Sequence, residues 1–137
     1  MIGEIFEFFA GSVANGVVAD AEQKRLAGIA RAEGKVAGVL RVREGEATGL
    51  SRGWRGREVR PLPGAITYEF NRLVVDAVRR RAEPLSGREG LTVPMGTFEV
   101  LEVRTTTALL EWAMLPEDVD STLERIDRPW ELDPTES

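Results

Sequence analysis

The residues with the most chemical potential in this 137-residue sequence are Arg52-Gly53-Trp54-Arg55-Gly56-Arg57, where three guanidinium groups interleave with an aromatic ring. Guanidinium grips phosphate through two parallel N–H donors, and an indole stacks on a base or a sugar. Glycine lets the backbone close on an anion. The same six residues also fit an ordinary strand end and turn, with Trp54 in the core and the arginines solvated or paired with carboxylates. Lys35, Arg41 and Arg43 form a second basic group ahead of the acidic turn Glu44-Gly45-Glu46, and Arg79-Arg80-Arg81 a third.

Proton-transfer and nucleophilic chemistry is poorly provided for. The chain has no histidine and no cysteine, so Ser–His and Cys–His arrangements and Cys-ligated zinc are excluded, as is any disulfide framework. Glu117, Asp118 and Asp120 are the densest carboxylates. They sit where a helix should begin, and the helix dipole alone accounts for acidic residues there. They lack the spacing of a calcium loop, and no phosphate-cradling glycine motif is present. We therefore expect no enzyme activity, no catalytic residues, no metal and no cofactor.

Charge is segregated along the chain. Residues 1–34 hold three basic and five acidic side chains, residues 35–88 twelve and six, and residues 89–137 three and twelve. The net values of −2, +6 and −9 give an overall charge of −5. A basic middle and an acidic end either screen each other across one small fold or leave a basic face that recruits an anion. Sixteen of the eighteen cations are arginine, which fits phosphate or carboxylate recognition and equally a GC-rich coding sequence.

The elements that must position these groups follow from periodicity. Ile2, Ile5, Phe6, Phe9, Val13 and Val17 recur at helical spacing, with Glu4, Glu7, Gly11 and Asn15 opposite, so the N-terminal segment reads as an amphipathic helix. A second helix starts near Asp20 with Leu26, Ile29 and Ala30 as its apolar stripe, and Gly34 is placed to end it. The period then changes to two. Strands are expected at Val36 to Arg43, Ala47 to Arg55, Ala65 to Phe70, Leu73 to Val78 (a short helix by spacing alone), Thr97 to Val103 and Ala108 to Leu115. Pro61 and Pro63 argue for an edge or a loop, and Arg79 to Gly90 for a polar loop. A final helix opens at Pro116, with Val119, Leu123 and Ile126 on its buried stripe and Pro129 as its stop. The longest uncharged run, Phe8 to Ala19, is twelve residues, short of the ~20 that span a bilayer, and Glu4 and Glu7 near the N-terminus do not fit an export signal.

Sequential short strands closed by an amphipathic helix outline an α+β fold: a small antiparallel β-barrel or sandwich with a C-terminal capping helix and two N-terminal helices. The stretches Val39-Leu40-Arg41-Val42-Arg43-Glu44-Gly45, Gly49-Leu50-Ser51-Arg52-Gly53-Trp54-Arg55, Val100-Leu101-Glu102-Val103 and Leu110-Glu111-Trp112-Ala113-Met114-Leu115 resemble uncharacterised small bacterial proteins with a pleckstrin-homology-like soluble part. Many of those are anchored by one N-terminal membrane helix, from which this chain differs in its short apolar run. The likeness covers roughly residues 36–128 and concerns fold rather than chemistry.

The expected organisation is a helical docking segment at residues 1–34, a pleckstrin-homology-like domain at 35–128 and a flexible tail at 129–137. Function is expected to be non-enzymatic: a cytoplasmic protein-interaction or scaffold module, or one peripheral on the inner membrane face. It would use Ile2, Ile5, Phe6, Phe9 and Val13 for a protein partner or for self-association, because an exposed stripe of this size needs a cover. The alternative is an anion-binding module for phosphorylated lipid or nucleic acid, using Arg52, Trp54, Arg55 and Arg57. Lys35, Arg41 and Arg43 would contribute through the loose basic spacing of phosphoinositide-binding pleckstrin-homology domains. Nucleic acid is the less favoured of the two ligands.

Overall fold

The computed structural model describes residues 17–83 and 98–130, with the side chains of the first helix described from Lys24 onward. The elements in chain order are α1 (Val17–Ala32), β1 (Val36–Gly45), β2 (Arg55–Leu62), β3 (Ala65–Tyr68), β4 (Asn71–Arg80), β5 (Glu99–Thr105), β6 (Ala108–Met114) and α2 (Pro116–Ile126). The strands close into a barrel in sequence order, every pair antiparallel, with β1 returning to β6. The expected small antiparallel barrel with a C-terminal helix is thus what the chain forms. The expected N-terminal helix, with its stripe Ile2, Ile5, Phe6, Phe9 and Val13, lies outside the described residues.

Local chemistry sets the boundaries. Gly34 ends α1 with φ 78°, in the left-handed region where a Cβ is costly. Its N–H reaches the Arg31 carbonyl at 3.0 Å and the Lys35 N–H reaches that of Ala30 at 2.9 Å, the paired bonds of a Schellman cap. At α2, Pro116 takes the first helical position and Glu117 and Asp118 lie in the first turn, where a missing N–H costs nothing and the dipole favours acid.

One expected strand is displaced. Residues 47–54 form a loop, and β2 begins only at Arg55. The loop turns at Gly49, whose φ is 76°, and the Leu50 N–H bonds the Ala47 carbonyl. β2 instead runs through Pro61. Its pairing with β1 ends at Val36↔Val59, so Pro61 has a strand neighbour only on the β3 side, opposite Ile66, a position that tolerates a missing donor.

Two apolar clusters share the barrel wall. Leu40, Val42, Val59, Ile66, Leu101, Val103, Leu110, Trp112 and Met114 fill the interior, and Val119 and Ile126 of α2 join them at one end. Outside the wall, Ala27 and Ala30 of α1 pack on Ala37, Val39, Val100, Ala113 and Leu115. The small residues let the helix approach closely. Ile29, expected on the buried stripe, is 42% exposed, while Ala27 takes its place against the sheet. An ion pair ties α1 to α2: Arg31 Nε donates to Asp118 Oδ1 at 2.6 Å, with Asp118 buried. That hydrogen bond raises the guanidinium's pKa, holding it charged against the cost of partial burial.

The segment after α2 is part of the fold. The Val78 N–H bonds the Arg128 carbonyl at 2.8 Å and Val78 bridges to Pro129, extending the sheet beside β4 where β3 has ended. Pro129 and Trp130, assigned to the tail from sequence, are therefore held on the barrel. The guanidinium groups of Arg79 and Arg104 lie 3.9 and 4.4 Å from the centroid of the Trp130 ring system. No helix among the described residues is long and apolar enough to cross a membrane.

Candidate functional site

The up-and-down order places the β1–β2 loop, the β3–β4 turn and the β5–β6 turn together at the barrel end opposite α2. There the interior opens into a cavity of about 700 Å³. Its floor is apolar, made by Val42, Ala47, Leu50 and Leu73, and its rim carries Glu46, Thr48, Ser51, Arg52 and Thr107. The Thr107 hydroxyl donates to the Glu46 carbonyl at 2.8 Å, joining two of the three turns. The Tyr68 hydroxyl donates to the Thr48 carbonyl at 2.5 Å, joining the third. Burial of that phenol pushes its pKa up, opposed by the nearby Arg57 charge.

The basic residues singled out in the sequence do not converge on one point. Arg52 is exposed at the mouth, where its Nη1 reaches the Val42 carbonyl at 3.5 Å, and Arg55 is exposed at the start of β2. Arg57 turns into the loop beside them. It donates to the Gly49 carbonyl at 2.9 Å and the Gly56 carbonyl at 2.8 Å, and lies 3.3 Å from Glu69. Trp54 packs against the cluster under α1 and lies beneath the guanidinium of Arg41, 4.5 Å from the ring centroid. Lys35 sits near the other end of the barrel, 3.9 Å from Glu33. The mouth therefore takes Arg52, with Arg57 bonded to the loop beside it, and the wall takes Arg41 and Arg43.

On that wall the acceptor is Glu111, a residue the sequence reading noted only for its place in an alternating strand. Its side chain is fully buried. Arg41 Nε donates to Oε1 at 2.7 Å, Arg81 Nη1 to Oε2 at 2.8 Å and Arg43 Nη1 to Oε2 at 3.3 Å. The strand register dictates this meeting: Arg41 lies directly across β1–β6 from Glu111, and Glu102 lies across β5–β6 from it. Glu102 in turn accepts from Arg79 at 2.9 Å. Burial pushes the Glu111 carboxyl up, but the hydrogen bonds and charges of Arg81 and Arg41 outweigh it and hold the group below the ordinary carboxylate value. One charge in an otherwise apolar strand, level with Arg41 on its neighbour, is the signal that would have found it.

Glu58 has the opposite environment. It lies across β1–β2 from Ala37, is 5% exposed, and neither carboxylate oxygen meets a hydrogen-bond donor among the described residues. Burial raises its pKa, with Lys35 opposing and Glu33 reinforcing the shift. A carboxyl that holds its proton longer in the folded state than in the unfolded chain makes the fold lose stability as pH rises between those two values. Glu58→Gln should remove that loss. Urea midpoints for wild type and variant should converge near pH 4 and separate by pH 8 in favour of the variant, and equal midpoints at pH 8 would refute the buried-carboxylate account.

Among the described residues no group of three or more acidic side chains is placed to hold a metal ion. What the mouth can offer is a shaped apolar floor with hydroxyl and guanidinium donors around it, which is equipment for binding. Compared with protein-family models, with curated proteins and with solved structures, the chain matches none.

Proposed function

We propose that this chain is a non-enzymatic interaction module: a rigid pleckstrin-homology-like barrel that presents the apolar stripe Ile2, Ile5, Phe6, Phe9 and Val13 to a protein partner. The observation that supports this reading is the way α1 is fixed. Ala27 and Ala30 seat it on the outer wall, Arg31 pins it to Asp118, and the segment carrying the stripe immediately precedes it in sequence. Three carboxylates fit the same reading, since Glu111 and Glu102 of the wall and Asp118 of α2 are each held by arginine. Such groups give shape rather than reactivity.

Replacing Ile5, Phe6 and Phe9 with serine in the full chain tests it. Proteins captured from cells by the tagged wild type should be lost with the variant, its thermal melt being recorded alongside to separate lost docking from lost folding. An unaltered capture profile would sink the proposal.

A second reading has its own support. Arg52 lines the mouth cavity, Arg55 is exposed at the start of β2, and neither makes an ion pair among the described residues, so they are the members of the basic group best placed to grip a phosphorylated ligand. That reading requires salt-dependent binding of inorganic polyphosphate that weakens in Arg52→Gln/Arg55→Gln. Equal binding by wild type and variant at low salt would remove it.

A further inference from the structure

We infer that the barrel mouth is a self-association surface, in which Phe70 of one copy seats in the mouth cavity of a second copy and receives that copy's Phe70 in return. This contact is separate from the N-terminal docking reading and does not rest on it.

The argument starts from the β3–β4 turn. Tyr68 pairs with Asn71, which leaves Glu69 and Phe70 as a two-residue connection. Glu69 has φ 53°, a left-handed conformation that a side chain disfavours. Its carboxylate is 3.3 Å from Arg57, and the Tyr68 hydroxyl is bonded to Thr48. The turn is thus tied to β2 through Arg57 and to the loop that lines the cavity through Thr48. The result is a phenyl ring held out in water: Phe70 is completely exposed, at 106% of its reference area. An apolar ring in a pinned turn is pre-organised for contact, since little freedom remains to be lost on binding.

A receptor for it lies on the same rim. The cavity of about 700 Å³ has the aliphatic floor of Val42, Ala47, Leu50 and Leu73, ample for one phenyl ring. A projection and a hollow side by side on one face are the requirement for a two-fold contact, because rotation about the axis exchanges them and one operation satisfies both. The rim also carries both signs, Arg52 and Glu46. In a two-fold pair the cation of each copy can face the anion of the other, which a uniformly basic or acidic rim would forbid. This complementarity selects a second copy over an anionic surface, which Glu46 would repel.

Sedimentation equilibrium of the full chain over a wide concentration range tests the inference. The wild type should show a reversible monomer–dimer equilibrium. Phe70→Ala should weaken it by about a hundredfold, roughly tenfold for each of two buried rings, with an unchanged thermal melt because the ring is fully exposed. Arg52→Glu and Glu46→Arg should each weaken the dimer, and the double exchange should restore it. A strictly monomeric wild type would overturn the inference, as would a dimer indifferent to Phe70→Ala. So would a monomer whose co-sedimentation with phosphatidylglycerol vesicles is lost in Phe70→Ala. A dimer abolished by the Ile5, Phe6 and Phe9 substitutions but not by Phe70→Ala would also reject the mouth, while leaving the N-terminal reading intact.

Discussion

Glu111→Ala should cost the fold about 3–5 kcal/mol, the scale expected when one partner is deleted from a buried ion pair. The carboxylate is fully buried and takes hydrogen bonds from Arg41, Arg43 and Arg81. Its removal leaves three guanidinium groups crowded around a vacated position without their shared counter-charge. Glu111→Gln keeps the shape and one acceptor oxygen, so its loss should be smaller but still clear. Urea denaturation followed by tryptophan fluorescence measures both.

The acid limb supplies a second readout of the same residue. The folded carboxyl has a lowered pKa, so its contribution is fully present above the unfolded value near 4.5 and drains away as pH falls through the folded one. Wild type should therefore lose stability in that acid window more steeply than Glu111→Gln. Parallel slopes would mean that the three arginines do not hold the carboxylate charged.

The neighbouring residue points the other way and should matter as much. Trp112 is fully buried in the barrel interior, and Trp112→Ala should destabilise by about 3–5 kcal/mol through lost transfer energy and an unfilled cavity. Gly38 is cut to fit it: a Cβ there would drive into the Ala113 carbonyl oxygen and lie 3.0 Å from the indole nitrogen. That nitrogen has no acceptor among the described residues. Trp112→Phe should for this reason cost much less, about 1–2 kcal/mol, since a buried unsatisfied donor goes with the lost volume. If Trp112→Phe proves as damaging as Trp112→Ala, the indole N–H has a partner in solution and the packing account fails.

These two residues also show how far the sequence could be read. The alternation of Leu110, Trp112 and Met114 against Leu109, Glu111 and Ala113 marked β6 and its two faces correctly, because a period of two survives in any strand with distinct sides. It did not reveal that Glu111 is fully buried, because that depends on elements far away in the chain. Arg41 and Arg81 come to it from β1 and from the end of β4, while α1 covers the same wall at Ala113. Gly34 and Pro116 were legible because capping is local chemistry. β2 was misplaced because Gly49 and Gly53 turn a stretch whose alternation looked strand-like. The run from Arg52 to Arg57 read as one site, yet the loop-to-strand transition at Arg55 sends its members to different places, with Trp54 beneath Arg41 and Arg57 on the Gly49 carbonyl. Phe70 read as the end of a strand, whereas that strand stops at Tyr68 and Phe70 falls in the β3–β4 turn. Complete exposure is a property of the turn that holds it.

The seam between β1 and β6 joins segments some seventy positions apart, with Arg41 opposite Glu111. Bringing such remote stretches together forfeits much chain freedom before any contact compensates it. Closure of the ring should therefore come late in folding, and once made it leaves no strand from which the wall can peel. Amide protons of residues 38–40, flanked by β2 on one side and β6 on the other, should then exchange with solvent only when the entire molecule opens. The barrel's endurance is thus a single number shared by all its strands, and whatever docks on either end meets a platform that yields all together or not at all.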